Sequence, residues 1–183
     1  MIPGLSNRRR FADLSEQEVL ALAISSEEDD ARIYRSYAEM LRDEFPASAA
    51  VFDGMAKEED GHRKRLIERH QARFGEVIPL IRREHVAGSY ARRPVWLTQN
   101  LGLERIRAEA GQMEREARAF YEQAATRTSD AATRKLLGDL AAAEAGHEVR
   151  AGALEAEHLG GEAREEEDRA AHRQFVLTWV QPG

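Results

Sequence analysis

Apolar residues recur at three- and four-residue steps through four stretches of the chain, the spacing that lays a stripe along one face of a helix. In the first stretch Leu20, Ile24, Ala31, Tyr34, Ala38 and Leu41 share a face. Ser15-Glu16-Gln17-Glu18 before them fits a capping box, where a hydroxyl and a carboxylate satisfy orphan amide donors. Phe45-Pro46 ends this helix, because proline disfavours helical geometry in the residue before it and suits a new start. The second helix is predicted from about Ala47 to Phe74, with Phe52, Met55 and Leu66 inward and Gly75 closing it as a left-handed cap. A third, about Gln99 to Thr126, is capped by Thr98 and turns Leu103, Ala110, Ala117, Tyr121 and Ala124 inward. Thr128-Ser129-Asp130 supplies the next N-cap, and the fourth helix runs to about Leu159 with Leu137, Leu140, Ala151 and Leu154 on its stripe.

The segment from Glu76 to Thr98 breaks this rhythm with Pro79, Gly88, Pro94, Arg82-Arg83, Arg92-Arg93, Tyr90 and Trp96. So long a connection suits a crossover that traverses a bundle, with a short helix over Ile78 to Val86 and solvated arginines elsewhere. Three parts follow: a solvated tail over 1–14 that includes Arg8-Arg9-Arg10, a helical domain over 15–160, and an acidic linker or helix over 161–183 that ends in the apolar run Phe175 to Val180. The predicted fold is all-α, a four-helix bundle with a long crossover between helices two and three and a C-terminal extension.

Polar residues interrupt the stripes in a repeated way. Glu27-x6-Tyr34 is followed by Glu59-Asp60-Gly61-His62, and Glu114-x6-Tyr121 by Glu144-Ala145-Gly146-His147, at offsets of 87 and 85 residues. Glu27 lies within its apolar stripe while Glu28 turns towards Arg32 and Arg35, so periodicity selects Glu27. Two Glu plus two Glu-x-x-His, converging from four helices, form the ligand set of a di-iron or di-manganese carboxylate site. Four carboxylates in one apolar core repel and resist ionisation, whereas two divalent ions would neutralise them. Oxygen and imidazole donors without thiolate suit iron or manganese, and zinc by affinity. Glu59 and Glu144 are the natural bridging groups, since each belongs to a half-site that also carries a histidine. Tyr34 and Tyr121 lie two turns beyond Glu27 and Glu114 and can donate hydrogen bonds to ligand carboxylates, core packing being the alternative role. Six histidines and 24 glutamates in 183 residues would give about 0.8 Glu-x-x-His pairs by chance. Three occur, and the unpaired third, Glu155 with His158, reads as a surface pair. His70, His85 and His172 read as surface residues.

One third of the residues are charged, 42% are hydrophobic, and the net charge is −6. This balance suits a helical bundle and argues against nucleic acid as the main partner, because no basic stripe is present. The absence of cysteine excludes disulfides, thiolate catalysis and iron–sulfur or rubredoxin-type centres in this chain. No stretch reaches the roughly 20 apolar residues of a membrane span, and no signal-type stretch follows Met1, so the expected compartment is the cytoplasm.

On the six metal-type residues the chain resembles the rubrerythrin branch of the ferritin-like superfamily over Ser15 to Leu159. It departs in lacking a cysteine-ligated rubredoxin domain, and in having Ala117 near the place of an additional third-helix Glu. Arg8 to Leu14, Glu27 to Tyr34 and Trp179 to Gly183 look like the cytoplasmic N-terminal domain of membrane-bound ferritin, in the erythrin and vacuolar-iron-transporter family. The resemblance implies a homodimer with two iron ions. It further implies Fe(II) with O2 or H2O2 as reactants, a membrane transporter domain continuing after this chain, and a place on the cytoplasmic face of the inner membrane. Three functions stay open: an iron-oxidising domain serving iron export and oxidative-stress resistance, a free-standing ferroxidase or peroxidase, and a metal-sensing or dimerisation module without catalysis.

Overall fold

A computed structural model describes residues 8–89, 92, 102–152 and 169 of the chain, with backbone alone at 148–152. Four helices carry the architecture: α1 Glu16–Leu41, α2 Pro46–Phe74, α3 Leu103–Arg127 and α4 Ala131–Gly152. They form two hairpins, α1 with α2 and α3 with α4, and the hairpins pack on each other. The fold is the all-α bundle the periodicity predicts, with the long α2–α3 connection in place.

Helix boundaries follow local chemistry. Ser15 caps α1 through the full capping box, its hydroxyl accepting from the Glu18 amide while the Glu18 carboxylate accepts from the Ser15 amide. Pro46 occupies the first turn of α2, where its missing N–H costs nothing. Gly75 ends α2 at φ 85° but ψ −175°, an extended mirror geometry open to glycine rather than the left-handed helical cap expected. Asp130 starts α4 by accepting from the Thr133 amide at 2.7 Å. Helix α3 begins at Leu103 behind Gly102, later than expected, while Thr98, Tyr90 and Trp96 lie outside the described residues. So do the side chains of Ala151 and Leu154, the pair Glu155 and His158, His172, and the expected terminal linker.

Two apolar clusters fill the bundle. One joins Ile33 to Leu41 of α1, Ala49 to Ala56 of α2 and Leu103 to Met113 of α3. The other joins Val19 to Ile24, Leu66, Tyr121, Ala124 and Leu137 to Ala141. Glu27, Glu59, His62 and Glu114 fall between these blocks in their helices, and Glu144 and His147 follow the second block on α4, so a polar layer crosses the core.

Several expectations are corrected. No α-helix forms over Ile78 to Val86; the chain there is extended, the expected short helix shrinks to one 3₁₀ turn at Arg83–His85, and a two-residue strand, Val86–Ala87 (β2), follows. That strand pairs in parallel with Arg9–Arg10 (β1), so this part of the basic N-terminal segment is held against the crossover rather than trailing in solvent. Arg9 and Arg10 are anchored further by Glu18 and Asp13. Arg83 and Arg92 in the crossover are not solvated either: both turn inward to Asp30 of α1. Arg35 pairs with Asp60 rather than Glu28, which takes Arg32. His70 is fully buried, because it extends the Glu59–His62–Leu66 stripe by one more turn and packs 5.6 Å from the Phe74 ring.

Candidate metal centre

The helical phase that predicts an apolar stripe brings the six metal-type residues together, and all six are buried. Two overlapping groups result, Glu27, Glu59, His62 and Glu144 on one side and Glu59, Glu114, Glu144 and His147 on the other, each with one ligand-type atom per residue within 4.8 Å of the others. Glu59 and Glu144 are common to both groups. Each divides its oxygens: Glu59 sends Oε2 to His62 Nδ1 (3.2 Å) and Oε1 to His147 Nδ1 (3.4 Å). Glu144 sends Oε1 to His62 (3.2 Å) and Oε2 to His147 (3.5 Å). That division would let Glu59 and Glu144 each offer one oxygen to either group. The two imidazoles lie nearly parallel, with centroids 5.6 Å apart.

The tyrosines serve carboxylates, but in a crossed arrangement. Tyr34 of α1 donates to Glu114 of α3, and Tyr121 of α3 donates to Glu27 of α1. Each helix thus steadies the acid of the other. Burial raises both phenols well above their ordinary pKa, so they remain donors.

Electrostatics within the layer are severe. Burial, reinforced by Glu59, raises the Glu27 carboxyl well above the usual range, and burial lifts Glu114 to about 9. Burial works to lower His62, yet hydrogen bonds to Glu144, Glu27 and Glu59 prevail and lift it to about 12. His147 is raised in the same way by Glu114, Glu144 and Glu59. For Glu59 and Glu144 burial is outweighed by hydrogen bonds from a neighbouring glutamate and both histidines, which hold them below the usual range. Without metal, protons supply the compensating charge.

The residues fit a pair of divalent ions. Glu27 Oε2, Glu114 Oε2, Glu144 Oε1 and His147 Nδ1 are buried and meet the facing carboxylate or imidazole atoms at 3.2–3.5 Å without a well-aligned hydrogen bond, a costly state for polar atoms unless an ion completes them. The donor set, carboxylate oxygen and imidazole nitrogen without sulfur, suits iron or manganese.

Two features escape sequence reasoning. Glu58 approaches the outer nitrogen of His147, Nε2 to Oε2, at 2.6 Å, the carboxylate–histidine arrangement that fixes a ligand ring. It lies about 100° from Glu59 around the helix, and periodicity assigns it to solvent. Asp30, one turn beyond Glu27, binds Arg83 at 2.8 Å and Arg92 at 2.8 Å, and Arg92 also reaches Glu116. Charge alternation in the crossover gives no sign of this inward anchoring.

The bundle and its buried carboxylate–histidine cluster define a ferritin-like protein with a centre able to hold metal. The sequence matches the rubrerythrin family over residues 18–155, and the chain belongs to that family, which usually binds iron. Among curated proteins none matches the chain. Among solved structures, a hypothetical protein from Pyrococcus furiosus is similar, with a TM-score of 0.61 and 21% identity over 94% of this chain and 96% of that one. At that identity the likeness speaks to fold alone.

Proposed function

We propose that Glu27, Glu59, His62, Glu114, Glu144 and His147 bind two Fe(II) ions and that the chain promotes their oxidation, in the service of iron detoxification. The observation that carries this reading is the division of Glu59 and Glu144 oxygens between the two histidines, beside four buried ligand-type atoms without a well-aligned hydrogen bond. When bound, two Fe(II) supply one electron each to an oxidant such as O2 or H2O2 and become Fe(III).

The rest of the work falls to the chain. Glu27, Glu114, His62 and His147 give up protons as the ions enter, so uptake is coupled to proton release. Tyr34 and Tyr121 each occupy one oxygen of a terminal carboxylate, Glu114 and Glu27, and leave the other oxygen facing a histidine of the cluster. Glu58 keeps the inner nitrogen of His147 pointed at the cluster by holding the outer one. The apolar blocks on either side exclude water from the layer.

Anaerobic titration of the chain with Fe(II) should saturate at two ions per chain, with saturation lost in Glu59→Ala and Glu144→Ala. Mixing the loaded chain with O2 in a stopped-flow instrument should then raise near-ultraviolet absorbance. Uptake without any absorbance change would reduce the function to sensing or buffering, and no uptake would remove the metal reading altogether.

The segments Arg8 to Leu14, Glu27 to Tyr34 and Trp179 to Gly183 extend the proposal to a homodimeric domain on the cytoplasmic face, feeding export through an attached membrane transporter. That extension rests on their resemblance to membrane-bound ferritin. Among the described residues no helix is long and apolar enough to cross a membrane. Fractionation of the native gene product, with iron efflux measured in cells with and without it, tests the extension.

A further inference from the structure

Beside the acid layer, between α1, α3 and the crossover, lies a cavity of about 260 Å³. We infer that it is a binding site for a small uncharged aromatic hydroxyl compound of the phenol or hydroquinone type. Size, charge and lining each narrow the ligand.

A cavity of about 150 Å³ lined by apolar side chains already accepts benzene, so the space here takes a single substituted ring with room to spare. Ala117 is part of its wall, and a longer side chain at that position would take up part of the space. Exposed Ala119 and Gln123 stand on its rim and leave a mouth to solvent.

The wall is charged but balanced. Arg83 and Arg92 supply two positive charges, and Asp30 and Glu116 two negative ones. The donors of Arg92 are engaged by Asp30, Glu116 and the Met113 carbonyl, and Arg83 chelates Asp30. Each guanidinium is paired with a carboxylate, so an anion finds no uncompensated positive charge. Glu27 also borders the space, but one of its oxygens accepts from Tyr121 and the other faces His62 at 3.5 Å, so both oxygens are turned to the acid layer. A cation in the cavity finds no uncompensated carboxylate.

Aromatic edges line the rest. Phe11 and Phe120 meet edge to face at 5.7 Å, and Phe120 and Tyr121 at 5.2 Å, the arrangement into which a further ring packs favourably. Ser26 and Ser89 add hydroxyl groups for a polar substituent. A ring held there touches Tyr121 and is one hydrogen bond removed from Glu27.

The test uses the metal-free chain and ligand-detected NMR, so its outcome is independent of the di-iron reading. Phenol and hydroquinone should bind saturably, while benzoate and benzylammonium bind more than about tenfold more weakly because each must bury an unpaired charge. Ala117→Leu should abolish the phenol signal by filling the space. Ala119→Trp, at the exposed rim where the fold is not at stake, should weaken it by obstructing the mouth, with circular dichroism confirming both variants folded. No saturable binding of either neutral compound, binding of the ions at equal strength, or phenol binding unchanged in a folded variant would each overturn the assignment.

Discussion

Replacing Glu58 by glutamine removes the carboxylate that holds the outer nitrogen of His147 at 2.6 Å and leaves the six inner groups untouched. A backing carboxylate fixes the ring orientation and makes the inner nitrogen a better donor. Losing one typically weakens metal affinity by about 10–100-fold, or about 1.4–2.7 kcal/mol. The Glu58 side chain is 41% exposed, so water screens part of its charge and the loss should fall near the lower bound, about tenfold. His62 meets carboxylates through Nδ1 alone among the described residues, with nothing comparable behind it. The substitution should therefore split the two metal positions, weakening the Glu114–His147 side and sparing the Glu27–His62 side. Anaerobic titration with Co(II) against a competing chelator yields two stepwise constants. One constant should fall and the other hold. If both stay unchanged, Glu58 has no hold on the ring; if both fall together, the bundle as a whole was disturbed and the reasoning fails.

Metal removal should lower the melting temperature, since an ion at about 100 times its Kd stabilises the folded chain by about 2.7 kcal/mol per site; calorimetry with and without chelator reads this, and an unchanged transition argues against binding. Tyr121→Phe removes a hydrogen bond to Glu27 worth about 1.5–3 kcal/mol when that group is charged. Affinity on the Glu27–His62 side should drop at least tenfold by the same titration, whereas unaltered affinity would leave Tyr121 a packing role only. Asp30→Ala strands two inward guanidiniums and should cost about 3–5 kcal/mol in urea denaturation, a negligible loss meaning that both arginines swing out to water. The Arg9 side-chain bond, with the Ser15 amide, lowers Glu18 from its ordinary 4.5 to about 2. A depressed carboxyl stabilises the fold above the unfolded value and loses that contribution as pH falls from about 4.5 towards 2. With solvent screening at this surface pair the contribution is about 1 kcal/mol, so the stability gap between the native chain and Glu18→Gln should close over that window. A constant gap would refute the linkage.

The six cluster residues were legible because a charged group on an apolar stripe is costly, and here the exception repeats at matching offsets in both halves. Pro46, Ser15 and Asp130 were legible as boundaries because each acts on backbone groups within three residues of itself. What stayed hidden depends on partners from other elements. Periodicity tells which face of α1 carries Tyr34, but not that the acid opposite it is Glu114 rather than Glu27. Arg83 and Arg92 read as solvated because local composition cannot register a partner 53 or 62 residues away. The helix expected over Ile78 to Val86 gave way to pairing with Arg9–Arg10, a tertiary bond that outweighs weak local preference. His70 is the exception, since extending the α2 stripe by four residues would have placed it inside.

The crossed tyrosine bonds have a consequence for how the two halves depend on one another. Neither hairpin possesses a finished half-centre: the phenol that steadies each terminal acid is on loan from the opposite hairpin. A fragment holding α1 and α2 alone would lack the partner for its Glu27, but a second copy of the same fragment, turned about a twofold axis, would bring Tyr34 to that very position. Self-pairing of such fragments is thereby written into the side chains, and the single chain is the version in which the two matching pieces have been joined.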